Sequence, residues 1–98
     1  MTVTVVRYQT KPERADENQA LVEAVYAELA ETRPAGFHYS TYRLADGVSF
    51  VHVGTIDGET NPLPSTAAFQ AFVADIGDRC VEPPAASEAS RIGRYESH

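Results

Sequence analysis

Apolar and polar positions alternate from Thr2 to Thr10, with Val3, Val5 and Arg7 on one side and Thr4, Val6 and Tyr8 on the other. This period of two, among β-branched residues, predicts a strand that Pro12 ends. Over Glu13–Thr32 the period lengthens to that of a helix. Leu21, Val22, Val25 and Leu29 recur on one side, and Glu17, Glu23, Glu28 and Glu31 take the other. Asp16 and Glu17 suit the positive end of the helix dipole and Arg33 the negative end, before Pro34 and Gly36 stop it. Two β-rich runs follow, 37–45 and 48–56, joined by Asp46-Gly47. That dipeptide predicts a two-residue type I′ turn, in which both residues need positive φ. Ala45 then faces Val48, and the pairs Arg43/Phe50, Thr41/His52, Tyr39/Gly54 and Phe37/Ile56 follow.

This register sorts the hairpin's side chains. Phe37, Tyr39, Thr41, Arg43, Phe50, His52 and Ile56 share one face; His38, Ser40, Tyr42, Leu44, Val51, Val53 and Thr55 share the other. Large groups on both faces predict that both are covered, one by helices and one by a second subunit. The Gly-, Pro- and Asn-rich stretch 57–64 reads as a loop. Ser65 is the expected N-cap of a second helix, whose stripe is Phe69, Phe72, Val73 and Ile76. Pro83 and Pro84, with the small residues after them, read as a linker to a last strand at 89–95, which Arg91 and Arg94 mark as an edge. The order is βαββαβ. It predicts a single α+β domain over residues 1–98: a ferredoxin-like sandwich of four antiparallel strands with two helices on one face, paired through the bare face into a homodimer.

Composition narrows the setting. The 98 residues, 43% hydrophobic, suffice for one core, and the lone Cys80 excludes an intrachain disulfide, which suits the reducing cytoplasm. The start reads as strand rather than as a leader, and no long apolar run predicts a membrane span. A net charge of −6 with scattered basic residues argues against nucleic acid. No spacing of Cys, His, Asp and Glu suits a metal, and no Gly-rich loop suits a phosphate.

His52 is the leading candidate for chemistry. A mid-strand imidazole beside Tyr39, Thr41 and Arg43 can act as a base with orienting partners, or can simply be a satisfied core or interface residue. Tyr8, Tyr42 and Tyr95 offer phenol donors among Phe37, Phe69 and Phe72, with ordinary packing as the other reading. Arg43 and Arg7 can hold an anionic substrate or pair with carboxylates. His38 faces away from His52, so the two do not share a metal; Cys80 reads as a structural thiol, and His98 is terminal.

Lys11-Pro12-Glu13-Arg14, Arg33-Pro34-Ala35-Gly36-Phe37, and Tyr39-x-x-Tyr42-Arg43 leading to Asp46-Gly47 and Phe50-Val51 resemble the antibiotic-biosynthesis-monooxygenase-like group of dimeric α+β barrels. The resemblance implies a homodimer whose sheets pack together, with a small cavity between sheet and helices in each subunit. Some members of that group oxidise polyaromatic substrates with oxygen and no cofactor, others degrade haem, and many have no established activity. The Trp late in the third strand, the Asn on the first strand and the His on the second helix that mark active members are all missing, which disfavours haem degradation. Two functions are therefore expected as alternatives: a cofactor-independent monooxygenase for a compact aromatic or polyketide-like substrate, or a non-catalytic ligand-binding module. The expected catalytic residues are His52, Arg43 and Tyr39, and the expected substrate contacts are Tyr8, Phe37, Tyr42, Phe69 and Phe72, with no cofactor and no metal.

Overall fold

The computed structural model describes residues 1–97. Its elements are β1 (Thr2–Thr10), α1 (Ala15–Thr32), β2 (Phe37–Arg43), β3 (Ser49–Ile56), α2 (Ala67–Ala74), α3 (Ile76–Arg79) and β4 (Cys80–Ala89), with short 3-10 turns at Pro12–Arg14 and Leu63–Ser65. The strands form one antiparallel sheet in the order β2-β3-β1-β4. Val22 and Val25 of α1 and Phe72 of α2 pack with Tyr8 and Phe50 of the sheet into a single core, so the two main helices lie on one face. This is the expected ferredoxin-like sandwich. Among the described residues no helix is long and apolar enough to cross a membrane.

The hairpin keeps the expected register, with Phe37 opposite Ile56, Tyr39 opposite Gly54, Thr41 opposite His52 and Arg43 opposite Phe50. Its turn differs. Only Gly47 has positive φ, at 78°, so the connection is not type I′. The Leu44 carbonyl accepts the Gly47 N–H at 2.9 Å, and the Leu44 N–H donates to the Ser49 carbonyl at 2.8 Å. Asp46 accounts for the change: its carboxylate accepts the Val48 and Ser49 N–H groups at 2.9 and 2.8 Å and the Ser49 hydroxyl at 2.6 Å. These bonds hold its pKa below the usual carboxylate range. One residue is added to the loop on each side of Asp46-Gly47, and symmetrical lengthening leaves the pairing unchanged.

Two other boundaries move. Thr66, not Ser65, caps α2, its Oγ1 accepting the Phe69 N–H at 3.2 Å, while the Ser65 hydroxyl donates back to the Pro62 carbonyl at 2.8 Å. The last strand is Cys80–Ala89 rather than 89–95, so Pro83 and Pro84 lie within it, and Arg91 and Arg94 follow it in a segment without regular structure. A proline has no N–H to give a ladder, and β4 tolerates two because it is an edge strand bonded to β1 alone. The ladder shifts register between Arg7 and Thr10, opposite that stretch.

The outer face of the sheet carries Val3, Val5, Val51, Val53 and Tyr42, and Tyr42 is 57% exposed. On the inner side α1 and α2 are tied by Glu28, whose carboxylate accepts the Ala67 and Ala68 N–H groups at 3.1 and 2.8 Å. An anion on two orphan donors at a helix N-terminus satisfies them and suits the dipole. Glu28→Ala is expected to lower unfolding stability by about 1–2 kcal/mol in urea titrations. A change below a few tenths would show that the clamp contributes nothing.

Candidate functional site

Between the inner face of the sheet and α2 lies a cavity of about 330 Å³. Its walls are mostly apolar: Val6, Phe37, Ile56, Leu63, Phe69, Phe72 and Val73. Gly54 lines it, and a Cβ there would stand 3.5 Å from the Tyr39 ring and 3.9 Å from the Phe37 ring. Tyr8, Tyr39 and His52 meet on its wall. A concave apolar site with few convergent polar groups is the usual form of a small-molecule pocket.

The strand period brings these three side chains together. Tyr8 on β1, Tyr39 on β2 and His52 on β3 all point to the inner face, and β3 lies between the other two strands. The Tyr8 Oη is 2.8 Å from His52 Nε2, and the Tyr39 Oη is 2.6 Å from His52 Nδ1, with Thr41 Oγ1 also 3.1 Å from Nδ1. Behind Tyr8, the Asn18 Nδ2 donates to its hydroxyl at 2.9 Å, and Arg79 Nε donates to the Asn18 Oδ1 at 3.1 Å. Behind Thr41 stands the Tyr26 hydroxyl at 2.8 Å.

Donor and acceptor counts orient this chain. Arginine has no acceptor, so Asn18 must turn its oxygen to Arg79 and its amide N–H to Tyr8. The buried Tyr8 proton then has one acceptor among the described residues, His52 Nε2. A neutral imidazole accepting at Nε2 carries its proton on Nδ1 and donates it to Tyr39, the nearer of its two partners. Burial penalises the imidazolium and lowers the His52 pKa to about 4, so the ring is neutral at pH 7. The same desolvation pushes the Tyr8 and Tyr39 phenols up. Neither His52 nitrogen offers a free lone pair to the cavity, so the role of free base does not follow from this geometry. The Tyr39 hydroxyl proton is then left for Thr41 Oγ1 or for a ligand in the cavity.

Six of the eight expected site residues meet at the cavity: His52, Tyr39, Tyr8, Phe37, Phe69 and Phe72. Arg43 and Tyr42 do not. Arg43 shares the inner face but lies one pair further along the hairpin, opposite Phe50, where it donates to Asp16 and Gln19 on α1 at 3.1 and 2.7 Å. Tyr42 is its sequence neighbour and so points to the outer face. His38 also faces outward, 3.6 Å from Asp57; Arg7 and Tyr95 are exposed, Cys80 is a half-buried free thiol, and His98 lies outside the described residues. Sequence reasoning missed Asn18, Tyr26 and Arg79 as site residues. Asn18 had a signal, because it sits on the buried stripe with Val22 and Val25, where a polar residue needs a partner. Arg79 had none.

No protein-family profile matches the chain, and no curated protein is detectably similar to it in sequence. Solved structures are similar. Rv0793 from Mycobacterium tuberculosis superposes with a TM-score of 0.72 at 18% identity, over 97% of this chain and 98% of that one. A Nitrosomonas europaea protein provisionally described as an antibiotic biosynthesis monooxygenase gives 0.78 at 16% identity, over 95% and 100%. SnoaB of Streptomyces nogalater, a cofactor-independent oxygenase solved as a point mutant, gives 0.70 at 13% identity, over 98% and 97%. At these identities the shared property is the fold, which is that of antibiotic-biosynthesis-monooxygenase-like proteins.

The buried neutral His52 sets a pH dependence. Unfolded, it takes up a proton near the ordinary imidazole pKa of about 6.5; folded, only near 4. Its contribution to stability is therefore complete above the unfolded value and is lost as pH falls from there to about 4, a loss of about 3 kcal/mol. Urea titrations across this window, with His52→Gln flattening the profile, check it, and an Nδ1–H signal for His52 in heteronuclear NMR checks the tautomer. A flat wild-type profile, or an Nε2–H tautomer, contradicts the assignment.

Proposed function

We propose that this chain, which has the antibiotic-biosynthesis-monooxygenase-like fold, binds a compact aromatic small molecule in its cavity and oxidises it with dioxygen without a cofactor. One observation carries the reading: an apolar chamber whose few polar lining residues include Tyr39, its phenol oxygen already accepting from His52. Likeness of fold to a cofactor-independent oxygenase supports this chemistry by analogy. The reaction class is conversion of an activated ring methylene to a carbonyl. One methylene and one dioxygen give one carbonyl and one water: the carbon loses both hydrogens and is oxidised, and dioxygen is reduced, one of its atoms becoming the carbonyl oxygen and the other leaving as water with those hydrogens.

The residues have distinct parts in it. Phe37, Phe69 and Phe72 exclude water and flank the rings, which keeps electrostatic interactions inside strong. Tyr39 donates to the ligand oxygen on which charge develops, and His52 and Tyr8 are positioning residues that fix that donor. Anthrone, a three-ring ketone with an activated methylene, is a suitable test substrate. Tyr39→Phe should reduce its oxygen uptake at least about 100-fold, whereas Tyr42→Phe leaves the rate unchanged. Absence of enzyme-dependent uptake by the wild type removes the oxygenase reading. A ligand-binding module without catalysis is then the better account, and it is favoured by one feature: His52 has no free acceptor with which to take a proton from substrate.

We also infer a cytoplasmic homodimer. The lone Cys80 suits a reducing compartment, and the valines of the outer face form an apolar surface of the kind a second copy covers. Native mass spectrometry should return a two-chain mass, and Val53→Asp a single chain. A wild-type monomer at micromolar concentration contradicts the pairing.

A further inference from the structure

Arg79 is wholly buried at the end of α3. Among the described residues its guanidinium makes no contact with a carboxylate. Nε donates to Asn18 and Nη2 to the Phe72 carbonyl at 2.5 Å, the group lies over the Phe72 ring at 5.2 Å, and Nη1 has no partner among the described residues. The titratable groups around it are Tyr8 on β1, Cys80 on β4, Glu17 on α1 and Asp75 at the end of α2. Burial opposes ionisation of Tyr8 and Cys80, and both carboxylates are held instead by Arg14, at 2.8 and 3.1 Å. Interring a cation without a direct counter-charge is costly, and a buried charge beside a cleft is a candidate for a functional role.

The chain that leaves Arg79 supplies the direction. Each link donates toward the cavity wall: Arg79 to Asn18, Asn18 to Tyr8, Tyr8 to His52, and His52 to Tyr39, which lines the cavity. Aligned donors polarise one another, so their dipoles and the charge behind them favour negative charge at the far end. We infer that the cavity takes its ligand as an anion, with an enolate or phenolate oxygen on the Tyr39 hydroxyl, and that Arg79 and Asn18, which do not line the cavity, are the positioning residues that set this preference. The inference rests on the reading of the cavity as an aromatic site, and it holds whether or not oxidation follows.

The probes are 4-nitrophenol, whose ionisation is read from its absorption spectrum, and its methyl ether 4-nitroanisole, which has the same ring and no proton to lose. An apolar cavity alone would raise the pKa of a bound phenol, so the direction of the change is decisive. Bound 4-nitrophenol should ionise about one pH unit below its solution value, and the ether should bind at least about ten-fold more weakly. Arg79→Met should abolish or reverse the shift. Asn18→Asp gives Arg79 a carboxylate partner and takes away the donor to Tyr8, so it should do the same in a chain whose buried charge is now paired. Circular dichroism confirms that the variants are folded. A nitrophenol bound neutral, an ether that binds equally well, or a shift that survives in Asn18→Asp would overturn the inference while leaving the aromatic site standing. Binding of neither probe would overturn the aromatic site itself, and this inference with it.

Discussion

An imidazole buried in mid-sheet has to be satisfied at both nitrogens, and much of this structure answers that demand. His52 is 4% exposed on β3, a central strand, and its partners come from the strands on either side, Tyr8 of β1 and Tyr39 of β2. Each partner has its own demand. Tyr8 is met by Asn18 on α1, and Asn18 by Arg79 at the end of α3; Thr41, beside Nδ1, is met by Tyr26. Three strands and two helices are thereby joined by side chains as well as by packing. Such a network resists partial rearrangement, because breaking any one link leaves a buried polar group unpaired.

The apolar core reinforces the same geometry. The Tyr8 ring stacks on Phe50 at a centroid distance of 5.5 Å, and Phe72 lies 5.5 Å from the His52 ring, so the aromatic bodies whose polar edges form the chain also fill the space between sheet and α2. Packing stops short where Gly54 and the small residues of β4 leave room, and that room is the cavity. Fold and site are therefore one construction: the tyrosine and histidine edges turn inward to each other, and Tyr8, Tyr39 and His52 line the space that is left.

How far the sequence discloses this follows the range of each interaction. The hairpin register is legible because it depends on local parity around Asp46-Gly47, and parity survives even though the turn is built on the Asp46 side chain rather than on two positive φ angles. The convergence of Tyr39 and His52, and the separation of His38 from His52, follow from that register. β4 is less legible. Two prolines read as a break unless the strand is known to lie at an edge, and that depends on where β1 finds its partners. The Asn18 and Arg79 link is hidden for the same reason: the residues are 61 positions apart, and only the finished sandwich brings the start of α1 beside the end of α3. Arg43 shares the face of His52, as the register predicts, but stands beside Phe50 and turns to α1, and Tyr42 points to the other face of the sheet.

A shared fold, an apolar chamber and an oriented hydrogen-bond chain that ends at Tyr39 together carry the proposed function. A crystal structure of the protein with 4-nitrophenol bound tests it most directly. The ring is expected against Phe69 and Phe72 in the cavity, with its phenolic oxygen within hydrogen-bond distance of Tyr39 Oη and the His52 contacts unchanged. A ligand bound outside the cavity, or one inside it with its nitro group at Tyr39, would contradict it.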